Sequence, residues 1–325
     1  MAQRVRLKKR KGRRGPAAKT GFQLAEVMHP RERAMLGEGL AWGLGPLVIA
    51  LLVAGIPGWR QAALVLVGGW IVIAVIFTVI YPEITERNML TAGEAGDNTR
   101  LQRMAEVQAR ALGMPAPQVT VSALAPGVLV VGQRIAMPAD LVRELSDAEQ
   151  WALLAHELAH MRCGHTFWLN LMRRSRQASG LLLVPALPAQ VVARGLALWE
   201  PFADLSADRL ALILTRDQKM LGQALLKQVA FQEPEMEISG AEIVEYLQRP
   251  GGLQAEGTEV TTHYKLGQLL RDHKDLHERL RQFAAYAGSD GYKRAVAQIE
   301  EATARDRAAQ KPPGEPPPGP SQPSA

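Results

Sequence analysis

Apolar residues are spread unevenly along this 325-residue chain. From Gly39 to Trp59 it runs GLAWGLGPLVIALLVAGIPGW, and from Gln61 to Pro82 it runs QAALVLVGGWIVIAVIFTVIYP, neither with a charged residue. A bilayer-crossing helix needs about 20 apolar residues. The two runs, separated by Arg60 and a Pro-Gly turn, therefore predict a transmembrane hairpin. A pair of soluble helices would each carry a polar face. Downstream the period changes. The segment ITERNMLTAGEAGDNTRLQRMAEVQARALGM has helical spacing, and PAPQVTVSALAPGVLVVGQRIAMP alternates between turn residues, predicting two or three short strands. Helix returns in LSDAEQWALLAHELAHMRCGHTFWLNLMRR, where Ser146 and, three residues on, Glu149 form a capping box.

A third apolar run, ASGLLLVPALPAQVVA from Ala178 to Ala193, is broken by Pro185 and Pro188 and ended by Arg194. It predicts an apolar helical hairpin near 178–199 that packs on the domain or dips into the bilayer, in preference to a third crossing. The last fifteen residues, KPPGEPPPGPSQPSA, cannot bury a core and predict a disordered tail. The chain thus divides into a basic tail (1–38), the hairpin (39–82), a folded domain (83–287), a C-terminal helix (288–310) and the Pro-rich tail (311–325).

Charge refines this division. The net charge of +6 comes from the amino terminus, where nine lysines and arginines lie among the first nineteen residues with no acid. Eleven basic residues precede the hairpin against one in its turn, so the positive-inside rule puts the amino terminus, and after two crossings the folded domain, in the cytoplasm. The hairpin begins too far along to be a cleaved signal peptide. The tail lacks the interleaved aromatics and the fold that read bases. It is expected to set topology and touch anionic lipid, with no nucleic acid as partner. The single cysteine, Cys163, excludes an internal disulfide and reads as a buried small residue.

The candidate chemistry lies at His156, where HELAH is followed by MRCGH. Histidines at i and i+4 stand on one helix face, so His156 and His160 can reach one metal, with Glu157 beside them and not ligating. Catalytic zinc usually takes a third protein ligand. His165 stands one place too early for the H-E-x-x-H-x-x-G-x-x-H pattern, and reads as an end-of-helix residue or one that supports a ligand. The alternative lies in WEPFADLSADRLALIL, where Asp204 and Asp208 are again i and i+4, with Pro201 suited to the helix's first turn. One carboxylate could ligate while the other accepts a hydrogen bond from the far nitrogen of a ligand histidine. Glu200, one turn earlier, is the other carboxylate within reach.

Two apolar spans, HELAH, an acidic-x-x-Ala-Asp helix and then HKDLHERL, in that order, resemble the HtpX-like and CAAX-prenyl-protease-type membrane gluzincins over about residues 39 to 284. That family carries H-E-x-x-H, E-x-x-A-D and a late His-Pro-x-x-x-x-Arg-Ile. The resemblance implies an α+β, mainly helical zincin-like metallopeptidase domain with a small sheet, preceded by the membrane hairpin. It implies that His156 and His160 bind Zn2+, that Glu157 is the general base, that Asp204 falls on the third-ligand glutamate, and that Asp208 supports a ligand histidine. His273 and Arg279 fall on the late His and Arg, which face the substrate carbonyl and line the cleft. The strand Gly127, Val128, Leu129, Val130, Val131 would offer its edge to an extended peptide. Two departures stand out: Asp204 is a methylene shorter than glutamate, and Lys274 replaces the proline.

The function so implied is a membrane-anchored zinc endopeptidase of the cell inner (cytoplasmic) membrane, multi-pass, with its catalytic domain cytoplasmic. It would cleave membrane or misfolded proteins for quality control, with protein substrates and membrane lipids as partners. The rival readings are an inactive membrane scaffold of the same fold and a tail-driven nucleic-acid or ribosome adaptor.

Overall fold

A computed structural model describes residues 24–54, 98–181, 187–232 and 274–310, with scattered positions between 56 and 72 and Ile243. In chain order the elements are α1 (Leu24–Val27), α2 (Glu32–Ala54), α3 (Thr99–Ala111), β1 (Gln118–Ser122), β2 (Leu129–Val131), β3 (Arg134–Pro138), α4 (Ala139–Glu144), α5 (Asp147–Cys163), α6 (Thr166–Leu181), α7 (Leu187–Thr215), α8 (Gln218–Gln232), α9 (Lys274–Ala287) and α10 (Asp290–Gln310). The protein is mainly helical with one three-stranded sheet, as its periodicities predict.

The sheet has the order β1-β3-β2, with β1 parallel to β3 and β2 antiparallel to it. Val131 pairs with Arg134 across the Gly132–Gln133 turn, where Gly132 takes a positive φ of 56°. Such a two-residue hairpin loop favours that conformation, which glycine adopts without a Cβ penalty. The strand begins at Leu129, two residues later than predicted, because the Ala125-Pro126-Gly127 bend leads into it. Gly127 and Val128 therefore precede the strand.

The main core packs α5 against α3, α7, α8 and the sheet. Leu153, Leu154 and Leu158 of α5, Ile135 and Met137 of β3, and Leu210 and Leu212 of α7 are all fully or almost fully buried. Each such leucine or isoleucine contributes roughly 1.5–3 kcal/mol through burial. A second cluster joins Leu196, Trp199 and Ala203 of α7 to Met172 of α6 and to Met35, Leu36 and Leu40 of α2. Here α2 and α7 touch backbone to backbone. A Cβ on Gly39 would stand 2.4 Å from the Gly195 carbonyl oxygen.

Three expectations change. The predicted transmembrane hairpin is not found: among the described residues no helix is long and apolar enough to cross a membrane. The first run lies in α2 as far as Ala54, the helix starting seven residues earlier, at Glu32, in sequence docked on the domain, and most of the second run lies outside the described residues. The long helix predicted from Ser146 breaks in two. Gly164 adopts the left-handed conformation (φ 80°, ψ 17°), and the His165 and Gly164 N–H groups close on the carbonyls of His160 and Met161 in a Schellman turn. Finally, Pro201 does not open a helix but lies inside the 29-residue α7. An internal proline removes one hydrogen bond and crowds the preceding turn. The helix continues because Leu196, Trp199, Ala203 and Ala207 are buried on both sides of it. The apolar segment 178–199 thus spans the end of α6 and the first half of α7, with 182–186 outside the described residues. Of the C-terminal segments, 290–310 is helical, and 311–325 lies outside the described residues, as do residues 1–23 of the basic tail.

Candidate metal centre

The HELAH motif occupies the third and fourth turns of α5. The helix opens on the predicted capping box: the Ser146 hydroxyl accepts from the Glu149 N–H, and the Glu149 carboxylate accepts from the Ser146 N–H at 2.7 Å. Lys227 Nζ pairs with the same carboxylate at 2.6 Å. Burial works to raise the Glu149 pKa, but Lys227 and Ser146 outweigh it and hold it below the ordinary value. Helix α5 is thereby fixed at its start and, through Gly164, at its end.

Its buried face presents His156 and His160 one turn apart, their Nε2 atoms 3.0 Å from each other. Asp204 Oδ1, from α7, lies 3.4 Å from His160 Nε2. One potential ligand atom from each of these three residues lies within 4.8 Å of the others. Two ligands at about 2.1 Å from a tetrahedral zinc stand about 3.4 Å apart, so the spacing suits that ion.

The far side of each imidazole is also served. Asp208 Oδ1 lies 3.0 Å from His156 Nδ1, close in distance though off the hydrogen-bond line. His160 Nδ1 lies 3.1 Å from His165 Nδ1. With protons on both Nδ1 atoms, the two Nε2 lone pairs face each other across 3.0 Å in a buried site. Lone pairs so placed repel unless a cation lies between them, and the donor set therefore fits a metal ion.

Arg279, from α9, takes a role its place in the sequence does not show. Its Nε and Nη2 donate to the two oxygens of Asp208 at 2.8 and 2.9 Å, and its Nη1 donates to Asp204 Oδ2 at 2.7 Å. Asp204 is left with Oδ1 toward His160. Burial works to raise Asp208, but the guanidinium and His156 bring its carboxyl down to about 2. Asp204 is pushed up, chiefly by burial. Burial also dominates at His160, which is lowered well below its ordinary value and stays neutral, the form that ligates. At His156 burial works downward, yet Asp208 leaves the imidazole raised. Glu157 is buried beside the cluster, and burial raises its pKa against the pull of His156 and Arg173.

Of the other predicted site residues, Glu200 is turned to Arg176, with Nη2 at 3.0 Å, and stands outside the three-residue cluster. His273 lies outside the described residues. Strand β2 pairs only with β3, so its outer edge has no strand partner among the described residues. Asn170 Nδ2, from α6, donates to the Val130 carbonyl at 2.9 Å. Cys163 is half-buried, with burial pushing its thiol up to about 12. It carries no nucleophile at neutral pH.

Sequence reasoning missed two members of the neighbourhood. Glu32, at the start of α2, is buried and pairs with His165 Nε2 at 2.8 Å, while the buried Ser206 hydroxyl donates to its other oxygen. Neither lies in a motif. Their only sequence sign is an acid shortly before an apolar run and a serine between two aspartates.

Two facing imidazoles, a carboxylate from a second helix and a buried glutamate next to the first histidine make a metal-dependent hydrolase site of the H-E-x-x-H type. Residues 95–287, more than half of the chain, match Peptidase family M48. The chain belongs to that family, and carries a metallopeptidase domain. It is also 36% identical over 97 residues to the plastoglobule-localized metallopeptidase 48, chloroplastic, of Arabidopsis thaliana. That match covers 29% of this chain and only 27% of the relative's length. No solved structure matches the chain significantly.

Proposed function

We propose that the protein is a membrane-anchored zinc endopeptidase that hydrolyses peptide bonds of membrane or misfolded proteins on the cytoplasmic face. The observation that carries this reading is the cluster of His156, His160 and Asp204 with Glu157 buried against it. In this site His156, His160 and Asp204 hold the metal. Zinc, when bound, supplies a Lewis acid that polarises a peptide carbonyl and makes water a better nucleophile near neutral pH.

Glu157 moves the protons. Its raised pKa makes it a better base than an exposed carboxylate, so it takes a proton from the attacking water and returns it to the leaving amine. Arg279 orients Asp204 and Asp208. The outer edge of β2, which has no strand partner among the described residues, would lie alongside an extended substrate, although Asn170 already takes the Val130 carbonyl. His273, on the family pattern, would face the substrate carbonyl.

Anchoring is supported by where apolar side chains meet solvent. Among the described residues, eight of the twelve large exposed hydrophobics (Trp42, Val48, Ile49, Leu52, Ile56, Trp59, Val65 and Val72) fall in the two predicted spans. Isolated exposed apolar residues are ordinary, but such a concentration fits a lipid surface. Domain and tail would then share the cytoplasmic side, with the basic residues before Gly39 near anionic lipid.

The test is cleavage of an unfolded casein-like substrate by the full-length protein in detergent, with and without chelator. Glu157→Gln is expected to keep zinc and fold while losing on the order of 10² to 10⁴ in rate. Near-normal turnover by this variant removes Glu157 as the base, and a wild type that binds zinc without cleaving favours the scaffold.

A further inference from the structure

Four buried groups form a chain from α2 into the metal centre. His160 Nδ1 lies 3.1 Å from His165 Nδ1, His165 Nε2 lies 2.8 Å from Glu32 Oε1, and the Ser206 hydroxyl donates to Glu32 Oε2. The main-chain N–H of His29 in turn donates to Ser206 Oγ at 2.7 Å. Glu32, His165, Ser206 and His160 are each at most 4% exposed. Trp199 closes one side, its ring edge-on to His165 with centroids 5.5 Å apart. The Schellman turn at Gly164 makes the contact possible, since it swings His165 back beneath the end of α5.

The direction of these hydrogen bonds follows from the carboxylate. An ionised Glu32 only accepts, so His165 donates to it from Nε2, which leaves His165 Nδ1 as an acceptor. His160 then donates from Nδ1, and its Nε2 keeps a lone pair. That nitrogen is the one 3.0 Å from His156 Nε2 and 3.4 Å from Asp204. Without a carboxylate at the end, His165 is free to donate from Nδ1. The proton of His160 would then sit on Nε2, where no metal can bind.

Resting on the reading of His160 as a metal ligand, we propose that Glu32 and His165 are positioning residues which, through this one-way chain of hydrogen bonds, hold His160 in its ligating tautomer and tie helix α2 to the metal centre. Burying a carboxylate in this way is costly. The tautomer is what the burial gives in return.

The experiment measures zinc affinity of the full-length protein by chelator competition after metal removal, together with the visible absorption of the Co2+ form. Glu32→Gln keeps the shape but ends the chain in an amide that accepts or donates equally. It is expected to weaken zinc about 10- to 100-fold, the usual effect of losing a partner behind a ligand, and to change the Co2+ spectrum. His165→Phe should lose at least as much. In the double variant the losses should not add, since both act through one path. Ser206→Ala, which removes only a hydroxyl, should shift affinity in the same direction by less. Exposed Glu38 on the same helix gives the control, and Glu38→Gln should bind as the wild type does. Zinc affinity and a Co2+ spectrum unchanged in Glu32→Gln, even with lowered thermal stability, would overturn the relay and leave Glu32 a packing residue. Asp204→Ala, measured alongside, separates the two readings: if it retains zinc at wild-type affinity, the metal centre itself falls and the relay with it.

Discussion

His156 and His160 sit one turn apart on the same helix, yet they are backed by opposite chemistry. Behind His156 stands a charged clamp, Asp208 gripped through both oxygens by Arg279 from α9. Behind His160 stands another imidazole, with a carboxylate from α2 beyond it. The first support comes from late in the chain and carries formal charge right up to the ligand. The second comes from the start of the described chain and reaches the ligand through another imidazole ring. Two identical residues in one motif thus owe their orientation to segments more than two hundred residues apart in sequence.

The largest effect is expected on the charged side. Arg279→Ala leaves Asp204 and Asp208 buried without their cation, and breaking such a pairing costs about 3–5 kcal/mol. Urea denaturation of the metal-free protein should report that loss, and a change below about 1 kcal/mol would mean the clamp does not bear on stability. Next comes the ligand itself. Asp204→Ala should lose zinc on dialysis while Glu200→Ala keeps it, because Glu200 faces Arg176. Metal analysis giving the reverse order would move the third ligand one turn back along α7.

A smaller effect is expected where α2 meets α7. Gly39→Ala drives a methyl group into the Gly195 carbonyl, and the overpacking should cost roughly 1–3 kcal/mol, read as a lower thermal midpoint. An unchanged midpoint would show that the two helices can part at little cost. The smallest effect is at the cap of α5. Glu149 has its pKa held below the ordinary value in the folded protein, so it contributes stability above its unfolded value of about 4.3 and loses it as pH falls through the lower folded value. Glu149→Gln should therefore lower stability by about 1 kcal/mol at pH 7 and much less near pH 3. A difference independent of pH would assign the effect to packing.

What could be read from the sequence was what is local or periodic. Ser146 and Glu149 are three residues apart, His156 and His160 four, Asp204 and Asp208 four, and β1 to β3 alternate over a short stretch; each pattern is fixed by the geometry of one helix turn or one pleat. Pro201 misled because its backbone cost is local while its compensation, the burial of Trp199 and Ala203, is tertiary. Gly164 was passed over inside a run of helical period, although its left-handed turn is what brings His165 to His160. Glu32 was invisible for a plainer reason: it is 133 positions from the histidine it contacts, and nothing about an acid before an apolar run says that it will be buried.

Arg279 also sets an electrostatic sum. Its guanidinium cannot give up its proton and touches two carboxylates at once, Asp208 through Nε and Nη2 and Asp204 through Nη1. One cation cannot neutralise both carboxylates when they are ionised, and Asp204 keeps Oδ1 turned toward His160. The clamp therefore holds the two aspartates in place without using up their attraction for a positive ion.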